Sequence, residues 1–150
     1  MNTGMNNCVL YKGLSSVPQT SNIDCYYSER GSFGSGFYCV DIDSALVYAS
    51  DVPEHILKVN VAMVNPMVVS VGFEQGWAMD FDSAALPLLR KLFTEDDVLK
   101  LVRDSEDGLF DETIQLAVTQ KGHDGLVVIY DEGACFETIV YDKNVISLCL

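Results

Sequence analysis

Basic residues are scarce in this chain: nine Lys and Arg stand against 22 Asp and Glu, a formal net charge of −13 over 150 residues. That balance excludes charge-driven binding to nucleic acid, whose phosphates such a surface repels. It permits plain solubility, and it permits docking onto a basic surface that normally holds nucleic acid. Long apolar runs are missing too. No stretch approaches the roughly 20 residues of a membrane span, so no membrane association is expected. The opening "MNTGMNNCVLYKG" lacks a basic region followed by a long apolar stretch, so no signal peptide is expected and the reading is a cytoplasmic protein. Metal-binding patterns are equally thin. His55 and His123 stand alone, and Cys8, Cys25, Cys39, Cys135 and Cys149 form no CxxC pair, which points to reduced thiols and no metal site. Internal repeats and low-complexity linkers are absent. One domain spanning residues 1–150 is the expectation, a length that buries roughly 70% of the unfolded surface.

What is present alternates between short strands and helices. "CVLYKG" reads as a first strand, ended by Gly13 and the loop "LSSVPQTSN". "GFYCVDI" reads as a second, entered through a glycine turn. "DSALVYASDV" places Ala45, Leu46, Ala49 and Val52 at helical spacing, with Asp43 or Ser44 as the cap. "HILKVNVAMVNPMVVSVG" holds two β-branched runs that bend or pair at Asn65 and Pro66. The middle, from Asp82 to Gly122, is helical: "DSAALPLLRKLF", "TEDDVLKLVRDS" and "DETIQLAVTQKG" each open with a capping Asp, Ser or Thr. "LVVIY" and "FETIVYD" then read as paired strands joined by "DEGAC", and "VISLCL" as a strand closing the sheet.

Two features stand out chemically. Glu137 is a charge at the start of an apolar strand, either an edge position or a carboxylate facing partly buried space that needs a partner. "GSFGSGFYCVD", Gly31 to Asp41, sets three glycines and aromatics before a strand. The glycines there serve either a tight turn or a close approach of backbone to a ligand.

Taken together, "LYKG", "GSFGSGFYCVDIDSALVYA", "VNVAMVNPMVVSV" and "GHDGLVVIYDEGACFETIVYDKNVISL" resemble the ADP-ribosyltransferase fold, in its poly(ADP-ribose) polymerase-like and diphtheria-toxin-like branch. That branch orders a first strand ending in His-Gly, an "FGxGxYF" strand followed by a helix containing Tyr, and a late strand like "EYIVYD" that begins with the catalytic Glu. The resemblance covers roughly Leu10 to Ala49 and Gly122 to Leu148. It implies an α+β fold with a split mixed/antiparallel β-sheet core, flanking helices and a helical middle segment.

The resemblance also implies NAD as co-substrate, with Glu137, Tyr38 and Lys12 as catalytic residues. The implied cofactor-binding set is Tyr11, Lys12, Gly13, Gly36, Phe37, Tyr38 and Tyr48. In that scheme Tyr38 and Tyr48 hold the nicotinamide ring between them, and Gly13 offers its N–H and C=O to the carboxamide. Glu137 binds the ribose and stabilises the charge that develops as nicotinamide departs. Lys12 stands where the branch has His, and donates instead to a ribose hydroxyl or the pyrophosphate. Cys135, two residues before Glu137, departs from the arginine-modifying toxins, so the expectation is transfer of one ADP-ribose to another acceptor. Small stand-alone enzymes of this fold occur in phages and bacteria, including anti-CRISPR ones. The implied partner is therefore a host protein, such as a basic nucleic-acid-handling complex, and the implied place is the host cytoplasm. A catalytically silent acidic inhibitor of a nucleic-acid groove, or an NAD-binding sensor, is the rival reading.

Overall fold

In the computed structural model, which describes residues 8–71, 85–105, 108–130 and 135–149, the apolar runs form two sheets. Strand β1 (Cys8–Gly13) pairs antiparallel with β3 (Ile56–Val61), and β3 with β7 (Ile146–Leu148). The second sheet runs β2 (Phe37–Cys39), β6 (Cys135–Val140), β5 (Gly125–Tyr130), β4 (Met67–Val71); only β4 and β5 are parallel. Among the described residues, the sheets meet at one backbone bridge. Tyr11 N–H donates to Val40 O at 2.8 Å and Val40 N–H to Tyr11 O at 2.7 Å, joining the β1 edge to the end of β2.

Four α-helices lie among the described residues: α1 (Ile42–Tyr48), α2 (Leu86–Leu92), α3 (Glu95–Asp104) and α4 (Glu112–Gln120). The result is an α+β protein. One core, including Leu88, Val98, Ile114, Leu126 and Ile139, lies between the four-stranded sheet and the middle helices. The other, with Phe37, Val59, Met63, Val140 and Ile146, lies against the three-stranded sheet. Successive residues of β6 feed opposite cores, Ile139 the first and Val140 the second, because alternate side chains leave a strand on opposite faces. That two-sided burial explains why "TIV" and "LVVI" read as continuous apolar runs.

Several expected boundaries shift for local reasons. The strand "GFYCVDI" ends at Cys39, because Asp41 is the N-cap of α1: its carboxylate accepts from Ser44 N at 3.1 Å and from Ser44 Oγ at 2.7 Å. Asp43 and Ser44 therefore lie inside the helix. Helix α1 also stops at Tyr48, short of Val52, since Ser50 and Asp51 take left-handed φ values of 54° and 63°. The runs flanking Asn65 and Pro66 do not pair with each other. The Asp124 carboxylate accepts from Val64 N at 2.6 Å and from Asn65 N at 3.2 Å, and the chain crosses from one sheet to the other. Thr94 and Asp111 cap α3 and α4 as expected. The N-cap of α2 is Ala85, with no side-chain cap and Pro87 in the first turn; the expected caps Asp82 and Ser83 lie outside the described residues, as does most of the "DEGAC" turn.

Candidate active site

Where the sheets meet, a cavity of about 140 Å³ is lined by Lys12, Gly13, Tyr38, Val40, Tyr48 and Glu137. Four elements contribute to it: the end of β1, strand β2 with its exit, the last residue of α1, and β6. The residues are far apart in sequence, and it is the pairing of β2 with β6 and the bridge from β1 to Val40 that bring them together.

Gly13 is required by packing. A Cβ there would collide with the Ala45 carbonyl oxygen, the Tyr48 Cβ and the Ala49 nitrogen, so only glycine lets α1 lie directly on the end of β1. The strand register orients its backbone. Leu14 N–H donates to His55 O at 2.9 Å, so Lys12 and Leu14 direct their backbone groups to the β3 side while Tyr11 and Gly13 turn theirs to the opposite edge. Tyr11 uses that edge to bond Val40. The N–H and C=O of Gly13 face the same edge, where the cavity lies. Tyr48, 65% exposed, stands at the rim.

Lys12 Nζ donates to Tyr38 O at 3.3 Å and lies 5.3 Å from the centre of the Phe37 ring. Burial lowers its pKa, opposed by the fields of Cys39 and Glu137. The lysine is thus a half-buried cation held between an aromatic face, a carbonyl and a carboxylate. It is not a solvated strand end.

Glu137 is the cavity's carboxylate. It faces Val128 across the β5–β6 ladder and accepts a hydrogen bond at Oε1 from the Tyr130 hydroxyl at 2.9 Å. Burial pushes its carboxyl above the ordinary range, while the Tyr130 hydrogen bond and then Lys12 pull it down. A carboxylate in this setting can accept from a sugar hydroxyl and stabilise a neighbouring positive charge.

The glycine segment does something other than expected. The Tyr38 hydroxyl donates to Gly34 O at 2.6 Å and accepts from Phe33 N at 2.8 Å. A Cβ on Gly31 would strike the Tyr38 ring, and one on Gly36 would press on Ile139 and Tyr141. Gly34 has φ +85° and sits against Asp111 O. The glycines therefore let the loop fold over the protein's own tyrosines, which is a correction to the reading that they approach a ligand. Tyr38 keeps its ring at the cavity while its hydroxyl is spent on the loop.

Three expected binding residues do not line the cavity. Gly36 packs beneath Tyr141. Phe37 is 0% exposed and meets Tyr27 edge-on, with ring centres 5.8 Å apart. Tyr11 acts through its backbone bridge. For Phe37 the physical reason is strand alternation: Tyr38 points to the cavity, so its neighbour must point into the other core. Sequence reading missed Val40 and Tyr130. Val40 directly follows the motif strand, but Tyr130 becomes visible only once the hairpin register is known. A larger cleft of about 590 Å³, bordered by Asp24, Tyr27, Arg30, Asp111 and Lys143 among others, contains none of the expected site residues.

No protein-family model matches the chain, and no curated protein matches it. Among solved structures, the crystal structure of an anti-CRISPR protein aligns over 97% of this chain and 98% of that one, with a TM-score of 0.43 and 16% identity. At that level the likeness decides neither fold nor function.

Proposed function

We propose that this chain is an NAD-dependent mono-ADP-ribosyltransferase with a sheet core of the ADP-ribosyltransferase kind. The observation that carries the reading is the convergence of Lys12, Gly13, Tyr38, Tyr48 and Glu137 on one cavity. The family resemblance implies that these residues share one nicotinamide site, and their meeting at one cavity supports that reading. The cavity is far below the several hundred Å³ of a drug-sized site, so it suits a single flat ring and not a dinucleotide. The nicotinamide end of NAD is such a ring, with a positive charge that suits tyrosine faces and a carboxamide that suits the Gly13 backbone.

In this reading the bond from the ribose anomeric carbon to the nicotinamide nitrogen breaks, and nicotinamide leaves with the bonding electrons. The acceptor's nucleophilic atom then bonds to that carbon and gives up its proton to water. Glu137 accepts a hydrogen bond from the ribose and stabilises the cation-like carbon. Lys12 offers an ammonium to a ribose hydroxyl or the pyrophosphate. The acceptor is a host protein with a basic surface, in the cytoplasm of an infected cell, where the modification serves an anti-defence role.

Nicotinamide release from NAD, measured with and without host lysate, tests this. Wild type is expected to release nicotinamide, faster with lysate, and Glu137→Gln to lose at least about a hundredfold. Equal release from both proteins, or none from a folded wild type, would overturn the reading; unchanged host inhibition by Glu137→Gln would favour an acidic inhibitor.

A further inference from the structure

Tyr130 has no role assigned to it by the sequence motifs, yet it contacts the residue on which the proposed chemistry turns. It is the last residue of β5, paired with Cys135, while Glu137 pairs with Val128. Tyr130 and Glu137 are thus diagonal neighbours on one face of the hairpin, a separation an aromatic side chain can span. Its ring packs against the core beneath the middle helices, which fixes where the hydroxyl can reach. The hydroxyl donates to Oε1 of Glu137 at 2.9 Å.

We propose that Tyr130 is a positioning residue for Glu137, holding one carboxylate oxygen so that the other faces the cavity for the substrate ribose. The inference rests on the transferase reading above. A carboxylate has two oxygens and a free torsion, and an unanchored one divides its time among orientations. A hydrogen bond to Oε1 from a ring fixed in the core removes that freedom and leaves Oε2 for a sugar hydroxyl. It also favours the ionised form, the form that can stabilise a developing cation. Other groups act on Glu137 from the packed elements: Lys12 of β1 is attractive, while Tyr38 and Cys39 of β2 carry acidic protons coupled to its charge. Burial pushes the Cys39 thiol up to about 12 and raises the Tyr38 phenol above its ordinary value, so both keep their protons where Glu137 ionises.

The test uses the full chain and Tyr130→Phe, which keeps the ring and its packing. The Glu137 carboxyl is followed by carbon NMR across a pH titration, and nicotinamide release is measured over the same range. Tyr130→Phe is expected to titrate Glu137 at higher pH, to shift the acid limb of kcat upward, and to lower kcat about tenfold at neutral pH with KM for NAD nearly unchanged. In a Glu137→Gln background the same change should have little further effect on kcat. An active wild type whose Glu137 titration or kcat is unmoved by Tyr130→Phe overturns this inference alone. A wild type that consumes no NAD overturns the transferase reading, and this inference with it.

Discussion

Glu137 is held where the fold disfavours its charge. Its carboxyl titrates above the ordinary value for Glu, burial being the largest cause, so the folded chain binds that proton more tightly than the unfolded chain. The stabilisation this gives is complete below the unfolded value, about 4.3, and is lost as pH rises through the folded one. At neutral pH the ionised group is a net burden. Glu137→Gln, which mimics the protonated form, should therefore melt at a higher temperature than wild type at pH 7, with the difference closing near pH 4. Scanning calorimetry at the two pH values checks this; a lower melting point for the variant at pH 7 is the contrary result. Such a trade of stability for a buried charge is what a functional carboxylate requires. The oddity of Glu137 was legible in the sequence, because a charge opening an apolar strand is conspicuous. Its partner Tyr130 was not, since "LVVIY" offers nothing to distinguish that tyrosine from a core residue.

At the scale of elements, α1 has a role out of proportion to its seven residues. It lies on Gly13, and its last residue, Tyr48, forms the cavity rim. Its start depends on the Asp41 carboxylate, which Ser44 holds below the ordinary pKa through its hydroxyl and backbone N–H. That contribution is present above the unfolded value, about 3.9, and is lost as pH falls through the folded one. Asp41→Ala is expected to cost about 1 kcal/mol, with faster hydrogen exchange at Ala45 and Ala49 than elsewhere. Exchange that rises uniformly, or not at all, would show that α1 does not depend on its cap. The helix itself was legible from Ala45, Leu46 and Ala49. Its cap, expected at Asp43 or Ser44, was misplaced by two or three residues because "DIDS" offers two aspartates and a serine, and only the end of β2 at Cys39 selects the first. The same kind of ambiguity left bending and pairing both open at Asn65 and Pro66. A turn signal says that the chain bends, and here Asp124, remote in sequence, determines which sheet it enters.

For the molecule as a whole, the dominant quantity is a net charge of −13. Acidic side chains crowd the first turn of α3, at Glu95, Asp96 and Asp97, where the helix dipole favours them, and their field extends into solvent. If the proposed target presents a basic surface, association is steered by that field and must weaken with ionic strength. Raising salt from about 0.05 to 0.5 M should slow modification of the target several-fold while NAD cleavage without target changes little. A target rate indifferent to salt, with the enzyme still folded, would remove steering from the account.

The family resemblance supplied the α+β expectation and the suspicion attached to Lys12 and Tyr38; composition and periodicity by themselves determined the strand and helix order, the caps of α3 and α4, and the oddity of Glu137. These follow from local rules: side-chain alternation, helical spacing and capping chemistry act within a few residues of one another. Only the tertiary structure decided that the strands divide into two sheets joined at Tyr11 and Val40, and that Phe37 and Gly36 serve packing. It also decided that the glycine loop encloses the hydroxyl of Tyr38 and that Tyr130 anchors Glu137. Those outcomes depend on register and on which face of a strand meets which neighbour. A one-residue slip reverses both, and no local pattern encodes the register between segments a hundred residues apart.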